Sequence, residues 1–249
     1  MPLLSLRNIS LSYHTKSGQT DALAGINLDV ERGEFVAVVG PSGCGKTTIL
    51  SVIAGLLAPT GGEILLDNKP VVKPCGDIGY CLQHDSLFEW LTIEKNVLIG
   101  LKVQKKLTGE SRTYAMSLLA KYGLAEFANA YPHQLSGGMR QRAALIRTLA
   151  FKPKLLLLDE PFSALDYQTR LEVAADVGNI IRQEGLTAVL VTHDISEAIT
   201  LASRVCILSP RPATVKKFVD IKLKGDSLAR RANKDFGEYF DAIWKDLQT

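Results

Sequence analysis

Near its N-terminus the chain alternates between apolar and polar residues. Two sets of apolar residues occupy every second position: Ile9, Leu11 and Tyr13, then Ile26, Leu28 and Val30. A period of two is typical of strands with one buried face. The polar segment Glu31-Arg32-Gly33-Glu34 follows and predicts a turn.

A continuous apolar run, Phe35–Val39, comes next and predicts a strand buried on both faces, as in parallel sheets. It ends in a glycine-rich loop, after which Thr47–Leu57 predicts a helix. The second half of the chain again alternates apolar strand runs with helical patterns. It predicts strands at Leu155–Leu158, Thr187–Thr192 and Val205–Leu208 and a helix at Asp166–Glu184, which ends at Gly185. Strands alternating with helices predict an α/β fold with a mainly parallel core sheet.

Residues 85–134 have a different pattern. Tyr114, Leu118 and Tyr122 are spaced by four and form a helical stripe. We expect an inserted α-helical subdomain over about residues 85–150; the alternative is a single additional crossover helix.

The C-terminal part carries a second helical stripe, formed by Phe236, Phe240, Ile243 and Leu247. We therefore divide the chain into a main α/β domain at residues 1–225 and a helical extension at residues 226–249. The segment between Arg211 and Lys234 is rich in Lys and Arg, which favours a solvated surface, with contact to an anionic membrane as the alternative.

Composition narrows the function classes. Apolar residues make up 46% of the chain and charged residues 22%, typical of a globular protein. A net charge of +3 is too small to favour nucleic-acid binding. The sequence has no apolar run long enough for a transmembrane helix, and the N-terminal pattern does not favour a secretory signal.

Four cysteines, Cys44, Cys75, Cys81 and Cys206, form no Cys-x-x-Cys pair. Their spacing does not match a metal-binding pattern, and we expect them to be reduced thiols.

The glycine-rich loop carries a phosphate-binding pattern. Its residues are Gly40, Pro41, Ser42, Gly43, Cys44, Gly45, Lys46 and Thr47, followed by Thr48. Glycines let backbone N–H groups approach phosphate oxygens, and the helix that follows adds the positive end of its dipole. We expect Lys46 to reach the β- and γ-phosphates of a nucleotide and Thr47 to offer its hydroxyl to Mg²⁺. The alternative, a chance match, does not account for the strand–loop–helix context.

Two acids, Asp159 and Glu160, end the apolar strand at Leu155–Leu158. In P-loop proteins a carboxylate at this place holds Mg²⁺, which is the role predicted for Asp159. Glu160 lies where α/β sheets bind their ligands and is placed to polarise a water for attack on the γ-phosphate. Taken alone, Asp-Glu after a strand would more often be a surface turn.

His193 follows the next predicted strand. On sequence alone two roles stay open: a structural histidine, or a contact to the γ-phosphate that helps to orient the attacking water.

The segment Leu135-Ser136-Gly137-Gly138-Met139-Arg140-Gln141-Arg142 resembles the signature motif of ABC (ATP-binding cassette) proteins. Gln is more common where Met139 stands, although Met is a familiar variant in importers. The resemblance runs from about Leu3 to Ile221 and implies a P-loop NTPase (RecA-like) fold. Its mainly parallel core sheet is joined by an N-terminal antiparallel β subdomain and an inserted α-helical subdomain.

The resemblance also implies further site residues. Tyr13 would stack on adenine, Gln83 would sense Mg²⁺ and the membrane partner, and Asp166 would belong to the D-loop. His193 matches the switch histidine of the family, which favours the catalytic alternative.

Ser136, Gly137 and Gly138 open a helix, so their N–H groups form a second anion site. In the family this site caps the γ-phosphate held by the opposite subunit, which implies an ATP-bound homodimer. The expected partners are transmembrane permease subunits and, indirectly, a substrate-binding protein, at the cytoplasmic face of the membrane.

Phe88–Thr92, Asp194–Ala198 and Leu208–Pro212 resemble segments of the nitrate, sulfonate and taurine importers. The first alternative is a soluble, non-transport ABC ATPase, which usually needs coiled-coil insertions or two tandem cassettes. A nucleotide-binding module without catalysis and a small-molecule kinase are weaker alternatives. The presence of both Glu160 and His193 argues against a nucleotide-binding module without catalysis. A small-molecule kinase would not need the segment at 135–139.

Overall fold

The structure is a computed structural model that describes residues 1–15 and 18–248. Its strands are β1 (Leu4–Thr15), β2 (Gly18–Val30), β3 (Phe35–Val39), β4 (Gly61–Leu66), β5 (Lys69–Pro70), β6 (Ile78–Cys81), β7 (Leu155–Asp159), β8 (Thr187–Val191), β9 (Arg204–Leu208) and β10 (Val215–Asp220). Its α-helices are α1 (Lys46–Ile53), α2 (Ile93–Val103), α3 (Gly109–Lys121), α4 (Gly137–Leu149), α5 (Tyr167–Gln183), α6 (Ile195–Leu201), α7 (Ser227–Arg231) and α8 (Phe236–Gln248), with short 3₁₀ turns at Ala125–Phe127 and Pro132–Gln134.

The central sheet has the order β10-β9-β3-β8-β7-β6. All neighbours from β9 to β6 are parallel, and only β10 pairs antiparallel, with β9. Val36 and Val38 of β3 belong to one hydrophobic core, whereas Phe35, Ala37 and Val39 belong to the other. The unbroken apolar run is therefore explained by a strand buried on both faces, and the predicted parallel core is confirmed.

A second sheet, of order β2-β1-β4-β5, is antiparallel throughout. The alternating residues Ile9, Leu11, Ile26 and Leu28 are buried on its inner side, where they share a core with Ile49 and Leu50 of α1. This sheet confirms the predicted N-terminal antiparallel β subdomain.

Helices α2, α3 and α4 lie between β6 and β7 in the chain and contact one another. Leu118 and Leu119 of α3 are buried against the core that also contains α4 and α5. A group of three helices confirms an inserted α-helical subdomain rather than one crossover helix. The precise divisions at 85–150, 1–225 and 226–249 stay predictions.

Some predicted elements differ from the structure. The helix expected over Thr47–Leu57 ends at Ile53, because Gly55 has φ 71° and a Cβ there would lie 2.6 Å from the carbonyl carbon of Lys73. Strand β10 was not predicted, because Lys216 and Lys217 interrupt its apolar pattern.

Within residues 1–15 and 18–248, none of the helices has both the length and the apolar character needed to cross a bilayer. The four cysteines are free thiols, and only Cys75 is exposed.

The parallel strands of the central sheet bring the candidate site residues together at one edge. Strands β3, β8, β7 and β6 lie side by side, so the residues that follow their carboxyl ends meet at one edge of the sheet. These are the glycine-rich loop after Val39, His193 after β8, Asp159 and Glu160 at the end of β7, and Gln83 after β6.

Candidate nucleotide-binding and hydrolytic site

The Lys46 side chain is folded back over the glycine-rich loop. Its Nζ donates hydrogen bonds to the carbonyl oxygens of Gly40, at 2.9 Å, and Pro41, at 3.0 Å. Lys46 is only 7% exposed, so its charge is fixed inside the loop rather than dispersed in solvent. A fixed ammonium beside backbone N–H groups is a strong site for phosphate.

Two loop glycines are required by geometry. Gly45 has φ 123°, and a Cβ there would lie 3.0 Å from Cδ2 of Leu23. At Gly40 a Cβ would lie 2.8 Å from Sγ of Cys44. The Cys44 thiol is buried, and desolvation raises its pKa, so this sulfur acts as a packing group.

Helix α1 starts at Lys46 with Gly45 as its N-cap and without a side-chain cap. Its first N–H groups and its dipole are therefore available to an anion. On the first turn, the Thr48 hydroxyl lies 3.3 Å from the Tyr13 hydroxyl. The structure thus places Tyr13, 37% exposed, beside the helix that begins at the phosphate loop.

Asp159 is held by two hydroxyl groups. Thr47 Oγ1 donates to Oδ1 at 3.0 Å, and Tyr80 Oη donates to Oδ2 at 3.1 Å. The structure therefore joins the loop threonine to the strand carboxylate, although 112 residues separate them. Sequence reasoning assigned no role to Tyr80; its position on β6, the neighbour of β7, was the available signal.

Burial shapes the electrostatics of this pair. Desolvation raises the pKa of Asp159, while the Thr47 and Tyr80 hydrogen bonds act in the opposite direction. Desolvation and the nearby carboxylate also raise the pKa of Tyr80, which therefore stays a proton donor. The result is a buried carboxylate held in one orientation by neutral donors.

Glu160 and His193 form the second contact of the site. Nδ1 of His193 lies 3.0 Å from Oε2 of Glu160. Glu160 is 22% exposed and His193 is 57% exposed at the side chain, so both are open to solvent on one side. A carboxylate oriented by an imidazole is an arrangement suited to accepting a proton from water.

The backbone at Glu160 has φ 43°, in the left-handed region that side chains rarely adopt. Its N–H donates to the Val191 carbonyl at 2.9 Å, and its carbonyl accepts from the Ser163 hydroxyl at 3.0 Å. Such a conformation persists where the surroundings fix it, and it is common at functional sites.

Gln83 lies on the other side of this loop. Its Nε2 donates to Ser163 Oγ at 3.3 Å, which links the end of β6 to the turn that follows Glu160. Sequence reasoning gave Ser163 no contact of its own.

Ser136 begins α4 as its N-cap and accepts a hydrogen bond from the Met139 N–H at 3.3 Å. Gly138 is needed for packing, because a Cβ there would lie 2.7 Å from Cγ2 of Val173 on α5. At Gly137 the nearest atom to a Cβ is Cδ2 of Leu165, at 3.1 Å. Small residues thus let the start of α4 rest directly on Leu165 and on α5.

Asp166 is the N-cap of α5, and its Oδ1 accepts from the Thr169 N–H at 3.1 Å. Hydrogen bonds from Thr169 hold the pKa of Asp166 below its usual value. Asp166, Ser136 and Gln83 line one cleft of about 560 Å³.

The predicted residues therefore fall into two groups. The phosphate loop, Asp159, Glu160 and His193 meet at the edge of the central sheet, whereas Ser136–Gly138 and Asp166 line the cleft beside α4. In the part of the chain that the structure describes, no hydrogen bond joins Ser136 or Asp166 to the phosphate loop. Gln83 contacts the turn between the two groups.

A glycine-lined phosphate loop next to an oriented pair of carboxylates on a parallel sheet defines a P-loop ATPase. The sequence profile of the ABC transporter family matches residues 23–163. The chain belongs to the ABC transporter family and is one of its ATP-binding, ATP-hydrolysing cassettes.

Related proteins are similar in sequence to this chain over nearly its whole length. The "uncharacterized ABC transporter ATP-binding protein YtlC" of Bacillus subtilis is 44% identical, covering 100% of this chain and 97% of the relative. The nitrate import ATP-binding protein NrtD of Synechocystis sp. is also 44% identical, over 90% of this chain and 84% of the relative. The predicted resemblance to an importer group is thereby confirmed.

One solved structure is a dimer of the ATP-binding cassette MJ0796 in a post-hydrolysis state, bound to ADP and Pi. It is 33% identical, with a TM-score of 0.74, and the match covers 88% of this chain and 99% of that chain. This likeness confirms the predicted fold class.

Proposed function

We propose that this cassette powers the import of a small solute across the cytoplasmic membrane, as a homodimer bound to transmembrane permease subunits. The proposed solute is nitrate, a sulfonate, taurine or a similar small molecule. The observation that carries the proposal is the division of the site residues into two groups, each a partial phosphate site. The likeness to a nitrate import subunit supports the transport direction and solute class.

In the proposed complex, ATP lies with its phosphates on residues 40–48 and its adenine against Tyr13. Lys46 contacts the β- and γ-phosphates from its position between two loop carbonyls. The Tyr13–Thr48 contact holds the aromatic ring beside the start of α1.

The donor set fits Mg²⁺. Thr47 and Asp159 offer a hydroxyl and a carboxylate oxygen 3.0 Å apart, and Mg²⁺ prefers oxygen ligands. Among the described residues, no cluster of three or more His, Cys, Asp or Glu side chains could hold a metal by itself. Thr47 and Asp159 would therefore hold the ion together with phosphate oxygens, and the bound ion would neutralise phosphate charge. Gln83 is proposed to sense that ion from the end of β6.

For hydrolysis, we assign Glu160 as the group that accepts a proton from the attacking water. His193 holds the carboxylate through Nδ1, which leaves the opposite edge of the imidazole ring free to contact the γ-phosphate. The fixed backbone at Glu160 keeps the carboxylate in place without rearrangement.

The second anion site is proposed to act across the dimer. N–H groups at the start of α4, next to Ser136, would cap the γ-phosphate held by the partner subunit, with Asp166 beside them. ATP would then bridge two subunits and favour the closed dimer, and hydrolysis would remove the bridge.

Residues near 83–100 are proposed to pass this motion to the permease. Asn96, fully buried, accepts from the Phe88 N–H at 2.7 Å and donates to the carbonyls of Phe88 and Leu91, both at 3.0 Å. This leaves the Phe88 and Trp90 rings on the surface, 36% and 73% exposed, with centroids 5.2 Å apart. An aromatic surface that follows Gln83 closely in the sequence suits contact with a membrane subunit, and the cassette would lie peripherally on the cytoplasmic face.

The proposal is tested by reconstituting the cassette with its permease subunits and binding protein in liposomes. Uptake of labelled nitrate, taurine and an alkanesulfonate is measured with ATP inside or outside. We expect ATP on the cassette side to drive inward movement of one solute, and the Glu160→Gln variant to abolish it. ATPase activity with no association to any permease would contradict a transport role and favour a soluble ATPase.

A further inference from the structure

A buried carboxyl group lies directly behind the His193 segment. Glu197, on α6, is 8% exposed, and Thr192, which immediately precedes His193, is 1% exposed. Thr192 Oγ1 donates to Glu197 Oε2 at 2.6 Å. Sequence reasoning assigned neither side chain a role of its own, and the hydrolytic roles assigned above make no use of them.

Thr192 holds the backbone on both sides of His193. Besides donating to Glu197, it accepts a hydrogen bond from the Asp194 N–H at 3.0 Å. The Thr192 N–H donates to the Val38 carbonyl at 3.3 Å, on the strand that leads into the phosphate loop. On one side of His193 the Asp194 N–H is therefore tied to a hydroxyl whose direction is set by Glu197, and on the other side the Thr192 N–H is tied to β3.

Arg170 links the same carboxyl to the turn after Glu160. Arg170 of α5 lines one small cleft with Glu197, and its charge acts on that carboxyl. Its guanidinium donates to the Leu165 carbonyl at 3.0 Å and the Ser163 carbonyl at 3.5 Å. Ser163 in turn donates to the Glu160 carbonyl at 3.0 Å. Glu197 is thus connected to the segments that carry both members of the Glu160–His193 pair.

Packing alone does not explain an acid at this position. Desolvation of a buried carboxyl is unfavourable, and an apolar side chain of similar size would fill the same space without that penalty. A buried hydrogen-bonded pair does, however, specify one geometry, which an apolar contact does not. That specificity is what a histidine positioned against a catalytic carboxylate requires.

We infer that Glu197 is a positioning residue for ATP hydrolysis: through Thr192 it fixes the segment that places His193 against Glu160. The inference rests on the hydrolytic roles proposed above for Glu160 and His193.

The hydrogen bond needs only an acceptor oxygen on residue 197. Desolvation raises the pKa of Glu197 to about 7. The charged or titratable groups that act on this carboxyl are Asp194, Arg170 and His193, and Tyr167 and Arg231 line the same cleft. Both the ionised carboxylate and the carbonyl oxygen of the acid accept from Thr192. The amide oxygen of Gln at position 197 does the same.

This gives a conservative and a disruptive variant at each end of the bond. Steady-state ATPase kinetics are measured for E197A, E197Q, T192V and T192S, with ATP affinity and thermal unfolding measured in parallel. We expect kcat to fall about tenfold or more in E197A and T192V with KM for ATP changed less than about twofold. E197Q and T192S should keep kcat within about threefold of the wild type. The control is E184A, which removes a part-buried glutamate bound to Tyr122 and Lys121 instead.

Two double variants test the route of the effect. Combining E197A with T192V should lower kcat no further than either change alone, because both remove one bond. Adding E197A to H193A should likewise cause no further loss.

Wild-type kcat in T192V would overturn the inference, even if E197A failed to fold. So would a loss confined to KM, or an equal loss in T192S and T192V. The failure of H193A and E160Q to lower kcat would refute the proposed hydrolytic roles themselves, and is read separately from the Thr192 and Glu197 results.

Discussion

Thr47 Oγ1 and Asp159 Oδ1 lie 3.0 Å apart, a hydrogen bond between the first turn of α1 and the end of β7. The contact joins the phosphate loop to the strand that carries Glu160. Since Lys46 is fixed by its own loop carbonyls, the cation, the hydroxyl and the carboxylate are held as one rigid group.

Glu160→Gln removes the proton acceptor while keeping side-chain size and an oxygen that can contact His193. ATP binding should therefore be unchanged, turnover should be lost, and the closed dimer should accumulate in ATP. Steady-state ATPase assays and size-exclusion chromatography measure these outcomes, with Glu110→Gln on the exposed surface of α3 as a control. Hydrolysis at the wild-type rate would show that Glu160 is not the base.

Lys46→Ala removes the ammonium held over the loop. The affinity for ATP should fall at least about tenfold, or roughly 1.4 kcal/mol, because a charge-assisted contact to phosphate is lost. Isothermal titration calorimetry with ATP and Mg²⁺ measures the change. Lys154→Ala, which breaks surface ion pairs to Asp67 and Asp77, is the matched control. Unchanged affinity would contradict the predicted role of Lys46.

Tyr80→Phe removes one of the two donors to Asp159. The Asp159 carboxylate should then be less well oriented, because a hydrogen bond that contributes about 1 kcal/mol is lost. The Mg²⁺ concentration for half-maximal activity should therefore rise several-fold. A Mg²⁺ titration of ATPase activity measures this, with Tyr114→Phe on α3 as a control. No change in the Mg²⁺ requirement would argue against Asp159 as a ligand.

Ser136→Arg places a long cation at the start of α4. Binding of ATP to residues 40–48 should persist, whereas closure of the dimer should fail because the proposed cross-subunit contact is blocked. Light scattering in ATP, in the Glu160→Gln background, measures closure, and Ser117→Arg on the exposed face of α3 is the control. Closure of the Ser136→Arg variant would refute the cross-subunit role.

Glu197 should make stability depend on pH. Its pKa is raised from 4.5 to about 7 in the folded state by desolvation, so folding favours the protonated form. The stabilisation is fully present below pH 4.5 and is lost as pH rises through about 7. At about 1.4 kcal/mol for each pKa unit the loss is roughly 3 kcal/mol. The charge of Asp194 acts on this pKa in the same direction as desolvation, whereas the Thr192 hydrogen bond, Arg170 and His193 act in the opposite direction.

Urea unfolding at several pH values compares the wild type with Glu197→Gln. The neutral amide should flatten the fall in unfolding free energy between pH 4.5 and pH 7. Parallel pH profiles for the two proteins would contradict the assignment.

Much of the site could be predicted from sequence because its parts follow buried strands. Asp159 and Glu160 end β7, and His193 follows the neighbouring strand β8, so a parallel sheet brings them together. The hydrogen bond between Glu160 and His193 is a consequence of that order.

Other features depend on contacts between distant segments. Tyr80 lies in a strand of four residues, too short for a clear pattern, and its hydroxyl meets Asp159 only in the folded chain. A glutamate in a helix usually faces solvent, and Glu197 is buried only because of the way α6 packs. The end of α1 at Ile53 is likewise set by the close approach of Lys73 to Gly55.

The central claim, that each phosphate loop is completed by the helix start of a second copy, is tested most directly by a crystal structure of the Glu160→Gln variant with ATP and Mg²⁺. We expect nucleotide on residues 40–48 of each copy, with Ser136 of the opposite copy within hydrogen-bond distance of the γ-phosphate. A nucleotide-free loop, or two copies that meet through other surfaces, would contradict it.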